Sequence, residues 1–135
     1  MASDVILNKI QVIERCLIRI NEEYASDPSN LNNFTRQDSI VLNIQRACEA
    51  SIDIAMHLIA IKKLGLPQSS RDAFEILHSN GIIDDKIKAT MQAMVGFRNV
   101  AVHDYQTLSL EILKNILEHR LGDFKAYSTV ILEYI

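Results

Sequence analysis

Apolar residues recur along the start of the chain at alternating steps of four and three, at Ile6, Ile10, Ile13, Leu17, Ile20 and Tyr24. This spacing lines one face of a helix against a core and predicts a first helix from about Val5 to about Ala25. Ser26-Asp27-Pro28-Ser29-Asn30 ends it, because proline and its neighbour disfavour helical geometry and the polar residues favour turns. Thr35 and Asp38 have the spacing of a capping box, with aspartate in place of the usual glutamate or glutamine, and open a second helix that reaches about Leu64. Gly65 is its expected C-terminal cap, with Pro67 just beyond. Its main apolar face runs from Ile40 and Val41 to Leu58 and Ile59, while Leu42, Met56 and Ala60 lie on the other side. A helix apolar on two sides is buried on two sides, and in a short chain the second side points to a partner subunit.

Ser69 or Ser70 caps a short third helix through Arg71–Leu77, stopped by Asn80-Gly81. Asp84 or Asp85 opens a fourth, with Ile87, Met91, Met94 and Val95 or Phe97 at core spacing, running to about Val102. Thr107 or Ser109 caps a last helix carrying Leu110, Leu113, Ile116 or Leu117, Phe124 and Ile131, with Gly122 weakening its middle. No strand alternation intervenes. The expectation is an all-α, five-helix, mostly up-and-down antiparallel bundle, forming one domain over residues 1–135.

Composition agrees with a folded chain: 48% of residues are hydrophobic and 23% charged. No stretch approaches the roughly 20 apolar residues of a membrane span, and Met1-Ala2-Ser3-Asp4 has no secretory character, so a cytoplasmic location is expected. Cys16 and Cys48 stand far apart and read as small core residues, and the four histidines are too scattered for a zinc motif, so no metal and no cofactor are expected. The net charge of −3 argues against a broad nucleic-acid coat, yet leaves room for a local basic cleft around one phosphate.

Candidate chemistry gathers after the fourth helical stretch, in Arg98-Asn99 and His103-Asp104-Tyr105. Arginine offers an always-charged planar fork suited to phosphate, and histidine exchanges a proton near neutral pH. Together they meet the minimum for RNA transesterification: a base for the ribose 2′-hydroxyl and a cation for the phosphoryl oxygens. On one continuous helix, residues five apart diverge by about 140°, so the pair converges only if the helix ends between them or if two copies of the segment face each other. Asn99 reads as a phosphate-positioning or a local hydrogen-bonding residue. Asp104 reads as a solvated turn residue or a carboxylate that orients an imidazole. Glu49, Asp53 and His57 recur every four residues as a solvated stripe or as a set that holds Arg98 or lines the cleft, with Asp53 an orienting candidate.

The spacing Arg98-x4-His103-x-Tyr105 resembles the Arg-x4-His-x-Tyr motif of HEPN domains. The chain length, the helical pattern and the stretch from Arg46 to His57 resemble the HepT toxin branch of that family. The resemblance implies a metal-independent endoribonuclease toxin, active as a homodimer, with Arg98 and His103 catalytic. It also implies a partner antitoxin, a minimal nucleotidyltransferase that moves AMP from ATP onto the motif tyrosine, here Tyr105. The alternative is a non-catalytic helical subunit that binds and regulates such a nucleotidyltransferase.

Overall fold

The computed structural model describes residues 2–135. Among the described residues there are six α-helices and no strand: α1 (Ala2–Tyr24), α2 (Phe34–Lys62), α3 (Ser70–Ser79), α4 (Asp85–His103), α5 (Leu110–His119) and α6 (Leu121–Leu132). Short 3₁₀ turns at Pro28–Asn32 and Tyr105–Thr107 precede α2 and α5. Among the described residues no helix is long and apolar enough to cross a membrane.

The long α1–α2 hairpin is the spine of the fold. Its antiparallel register is marked by Lys9 Nζ on Asp53 (3.0 Å) at one end and by the Arg36 guanidinium donating to Glu23 O (3.0 Å) at the other. The face read from the sequence is buried as expected, with Ile6, Ile13, Ile20, Ile40, Ile44, Ile54 and Leu58 all at 0% exposure. α2 runs antiparallel to α4, and the Cys48 thiol donates to Met94 O across that contact at 3.4 Å. Cys16 and Cys48 are both buried and unpaired. Inside the core the Tyr127 hydroxyl donates to Ser51 O at 2.8 Å, and its ring meets Phe74 edge-on with centroids 5.9 Å apart.

Three of the predicted caps form as the sequence indicates. Ser69 accepts from Asp72 N, Asp84 from Ile87 N and Ser109 from Ile112 N, each satisfying an amide that its helix leaves unpaired. Two others differ. α2 is capped by Asn33, which accepts from Arg36 N, so the Thr35–Asp38 capping box does not form and the Asp38 carboxylate is released for another partner. At the other end Lys63 takes the left-handed conformation itself (φ 54°, ψ 49°), and Leu64 N–H returns to Ile59 O at 3.0 Å, closing α2 two residues before Gly65.

The predicted last helix is two helices. At Arg120 the backbone opens to φ −118°, and Asp123 N turns back to Arg120 O at 3.1 Å. The break re-aims α6 so that Asp123, 5% exposed, accepts from Thr90 Oγ1 at 2.6 Å and faces Lys86 Nζ at 3.4 Å. A straight continuation would not be held to that buried pairing, and Gly122, beside the joint, adds little helical preference to resist the bend.

Candidate functional site

α4 extends through His103, one residue past the expected end, so the helix does not stop between Arg98 and His103. The two therefore diverge by about 140° around the axis and stand about 7.5 Å apart along it. Arg98 is half-buried on the side facing α2, and His103 is exposed in the last turn beside Val100 and Val102. Of the two geometries left open by the sequence, the one in which the chain swings His103 back toward Arg98 is not adopted.

Arg98 Nε donates to Asn99 Oδ1 at 3.0 Å, a local hydrogen bond that leaves the Asn99 amide N–H groups free. Among the described residues Arg98 makes no ion pair with a carboxylate, so its remaining donors are uncommitted. Its charge reaches the buried Cys48 thiol: burial pushes that thiol well up and Arg98 opposes the shift. Glu49 accepts from Gln45 at 3.1 Å and Asp53 pairs with Lys9, so neither holds Arg98. Asp53 also lies fifteen residues, about 22 Å, along α2 from Asp38, which marks the Tyr105 end of the helix, and it does not orient His103 within the protomer. The Asp104 backbone N–H closes α4 on Val100 O, and its carbonyl accepts from Thr107, while no hydrogen bond joins its carboxylate to His103.

Tyr105 opens the turn after α4 and crosses to the start of α2, where its hydroxyl donates to Asp38 Oδ1. Burial, then the Asp38 hydrogen bond, then the Asp38 charge push the phenol up to about 12. The ring remains 39% exposed and lines a cleft of 450 Å³ with Phe34, Asp38, Gln106 and Leu110. Asp38 is the residue that sequence reasoning misplaced: its spacing to Thr35 suggested a cap, and only the α2–α4 packing shows it beside Tyr105.

On the His103 side of α4, Ala93, Gly96 and Val100 border an open apolar groove of 820 Å³ completed by Leu108 and Ile112. Arg71 closes over Gly96, where an added Cβ would come within 2.8 Å of its guanidinium. Among the described residues no group of three His, Cys, Asp or Glu side chains is placed to hold a metal ion.

The family model "Ribonuclease HepT-like" matches residues 6–131, which is nearly the whole bundle. The chain belongs to the HepT-like ribonuclease family. It is 46% identical over 129 residues to the mRNA nuclease HepT of Shewanella oneidensis, covering 96% of this chain and 97% of that protein. Among solved structures, it is similar to the tri-AMPylated Shewanella oneidensis HEPN toxin in complex with MNT antitoxin, at TM-score 0.91 and 47% identity, covering 96% of this chain and 98% of the other. A toxin-antitoxin crystal structure with AMP-PNP gives TM-score 0.91 and 46% identity at the same coverage. The six-helix arrangement, including the α5–α6 break, is thus this HepT-like chain's version of the HEPN toxin fold.

Proposed function

We propose that this chain is a metal-independent endoribonuclease toxin that cuts RNA in a cleft built by two copies of the chain. In this reading His103 accepts the proton of a ribose 2′-hydroxyl as its oxygen attacks the adjacent phosphorus. Arg98, steadied by Asn99, holds the non-bridging oxygens with its planar fork, and the leaving 5′-oxygen takes up a proton. The observation that carries the reading is the pairing of an Arg98 free of carboxylates with an exposed His103, within a fold shared along nearly its whole length with a nuclease.

The dimer follows from the divergence of the two residues on one helix. A two-fold axis near the end of α4 sets Arg98 of one copy opposite His103 of the other. Exposed apolar side chains stand near that axis: Val100 is 37% exposed and Val102 47% in the last turns of α4, and Ile112 56% on α5.

Control belongs to Tyr105. The chain's structural relatives are solved with a nucleotidyltransferase-type antitoxin, and one of them is AMPylated. In the proposed reaction the Tyr105 oxygen attacks the α-phosphorus of ATP held by the partner. The bond from that phosphorus to the pyrophosphate oxygen breaks, and the phenolic proton passes to Asp38, its present hydrogen-bond partner. The added phosphate and nucleoside then oppose RNA by charge and bulk.

The deciding experiment incubates purified protein with RNA, with and without chelator, beside His103→Ala, and measures intact mass after exposure to the antitoxin and ATP. Cleavage that survives chelation, is lost in His103→Ala and falls as mass rises in AMP steps supports the reading. The divergence of Arg98 and His103 within one protomer also fits a second reading, a non-catalytic subunit that regulates the nucleotidyltransferase. Absence of cleavage by unmodified dimer, with antitoxin turnover altered by its addition, would favour that alternative.

A further inference from the structure

Away from the motif, the α1–α2 hairpin gathers cations that the sequence keeps far apart. The register fixed by Lys9–Asp53 and Glu23–Arg36 brings Arg15 and Arg19 of α1 level with Asn43 and Arg46 of α2. These residues, with Val12 and Cys16, line a cleft of 370 Å³. Three guanidinium groups share it in a chain of net charge −3. Arg19 is partly offset by Glu22 at 3.4 Å across an exposed pair, whereas Arg15 and Arg46 make no ion pair among the described residues. Both act on the Cys16 thiol at the cleft floor, opposing the rise that burial causes, so both charges bear on the same small space. Asn43 spends one amide N–H on Ser39 O at 2.8 Å, and the arginines are the cleft's charged donors. Arg15 and Arg46, without counter-charges, repel each other and the partly offset Arg19, and an anion would relieve that repulsion.

The cleft also stands in register with the motif. Arg46 lies two residues, about 3 Å, along α2 from Cys48, whose thiol feels the Arg98 charge from the opposite flank. Arg46 and Arg98 thus sit at one height on either side of the α2 ridge formed by Leu42, Gln45 and Glu49, about one helix diameter, some 10 Å, apart. A strand crossing that ridge would span the two positions with a few nucleotides.

We propose that Arg15, Arg19 and Arg46 form a second phosphate-binding site, which holds the sugar-phosphate backbone of single-stranded RNA next to the phosphodiester engaged by Arg98. The inference rests on the nuclease reading for its ligand, but its test does not require cleavage. It also explains how an acidic protein engages RNA: the cations are local to one face.

The test is binding of a single-stranded RNA oligonucleotide with 2′-O-methyl riboses, which cannot be cut by 2′-hydroxyl attack, measured by fluorescence anisotropy over a range of salt. The Arg15→Gln/Arg46→Gln variant changes exposed positions and should fold, as circular dichroism will show. The expected result is weaker binding and a log–log salt slope shallower by about 1.4, since each phosphate left without its arginine on a single strand reduces the slope by about 0.7. Arg46→Lys keeps the charge but loses the fork, and should fall between the two. Lys114→Gln/Lys125→Gln, with the same reduction of charge elsewhere on the surface, should leave the slope unchanged. Equal slopes for wild type and the arginine variant would overturn the site, as would an equal weakening in the lysine control. So would intact RNA binding with abolished antitoxin binding, which would assign the cleft to a protein interface. Arginine-dependent RNA binding by a wild-type protein that cuts no RNA would support the site while refuting the nuclease reading.

Discussion

Replacing Asp38 by asparagine separates the causes that hold Tyr105 in place. In the native protein the phenol is pushed from 10.0 to about 12, first by burial and then by the hydrogen bond and charge of Asp38. Asp38→Asn removes the charge and weakens the acceptor but leaves the burial. Tyr105 should therefore ionise below its native value without returning fully to 10. Two pKa units correspond to about 3 kcal/mol for a rigid buried pair, but Tyr105 is 39% exposed, and solvent screening reduces the pair's share of stability to about 1 kcal/mol. With an unfolding entropy near 2.1 cal/mol/K per residue over 135 residues, that is a Tm lower by about 3–4 °C. The sign across pH follows from the raised pKa: the folded state favours the neutral phenol, so this stability is complete below about 10 and is lost as pH climbs from there through about 12. The assay is ultraviolet titration of phenolate absorbance, with Tyr105→Phe identifying the Tyr105 component among the four tyrosines, together with thermal melts at neutral and alkaline pH. An Asp38→Asn protein whose Tyr105 titrates as in wild type would refute the contact. If Asp38 receives the phenolic proton during AMP transfer, the variant should also be modified more slowly by about 10² or more at neutral pH, with its fold intact.

His103→Ala should lose about 10² to 10⁴ in cleavage rate while melting close to wild type, since the side chain is exposed, as read from RNA cleavage and circular dichroism together. Arg98→Lys should be strongly impaired too, because an ammonium cannot make the planar two-point grip on phosphate; full activity in cleavage assays would remove Arg98 from the mechanism. Met56→Glu places a charge on the second side of α2 and should shift light-scattering mass toward the monomer while lowering activity in step. Asp123→Ala should lower stability by about 1–3 kcal/mol in denaturant melts, because the buried Thr90 hydroxyl loses its acceptor and Lys86 its counter-charge.

The helices and most of their caps were legible because their causes are local. The run Ile6 to Tyr24 and the capping residues Ser69, Asp84 and Ser109 act within a few positions of themselves. The α5–α6 break was not legible, because Leu117 and Phe124 are seven residues apart and stay in phase on a straight helix. The bend is held by Asp123 meeting Thr90 on another element. The motif itself, Arg98 with His103 and Tyr105, stood in plain view as a spacing, but what surrounds it did not. Asp38 reaches Tyr105 across 67 positions, and Arg46 reaches the α1 arginines only through the hairpin register. Such pairings belong to the packing of elements and leave no short-range trace. Asp53, by contrast, lay on a suggestive stripe, and its real partner, Lys9, stands on another helix.

The break at Arg120 also sets how firmly the Tyr105 end of the molecule is held. It leaves α5 only ten residues long, joined to α6 at the break and tied to the hairpin by Tyr24 donating to Glu118 at 3.1 Å. Helices this short have little stability of their own, so α5 depends on that docking. Its opening should precede global unfolding, and its amides should exchange with solvent sooner than those of the α1–α2 hairpin. The turn carrying Tyr105 hangs from the front of α5 through Leu108 and Ser109. If α5 opens first, the residue proposed as the control point lies beside that opening, and a modifying partner would meet it there without unpacking the core.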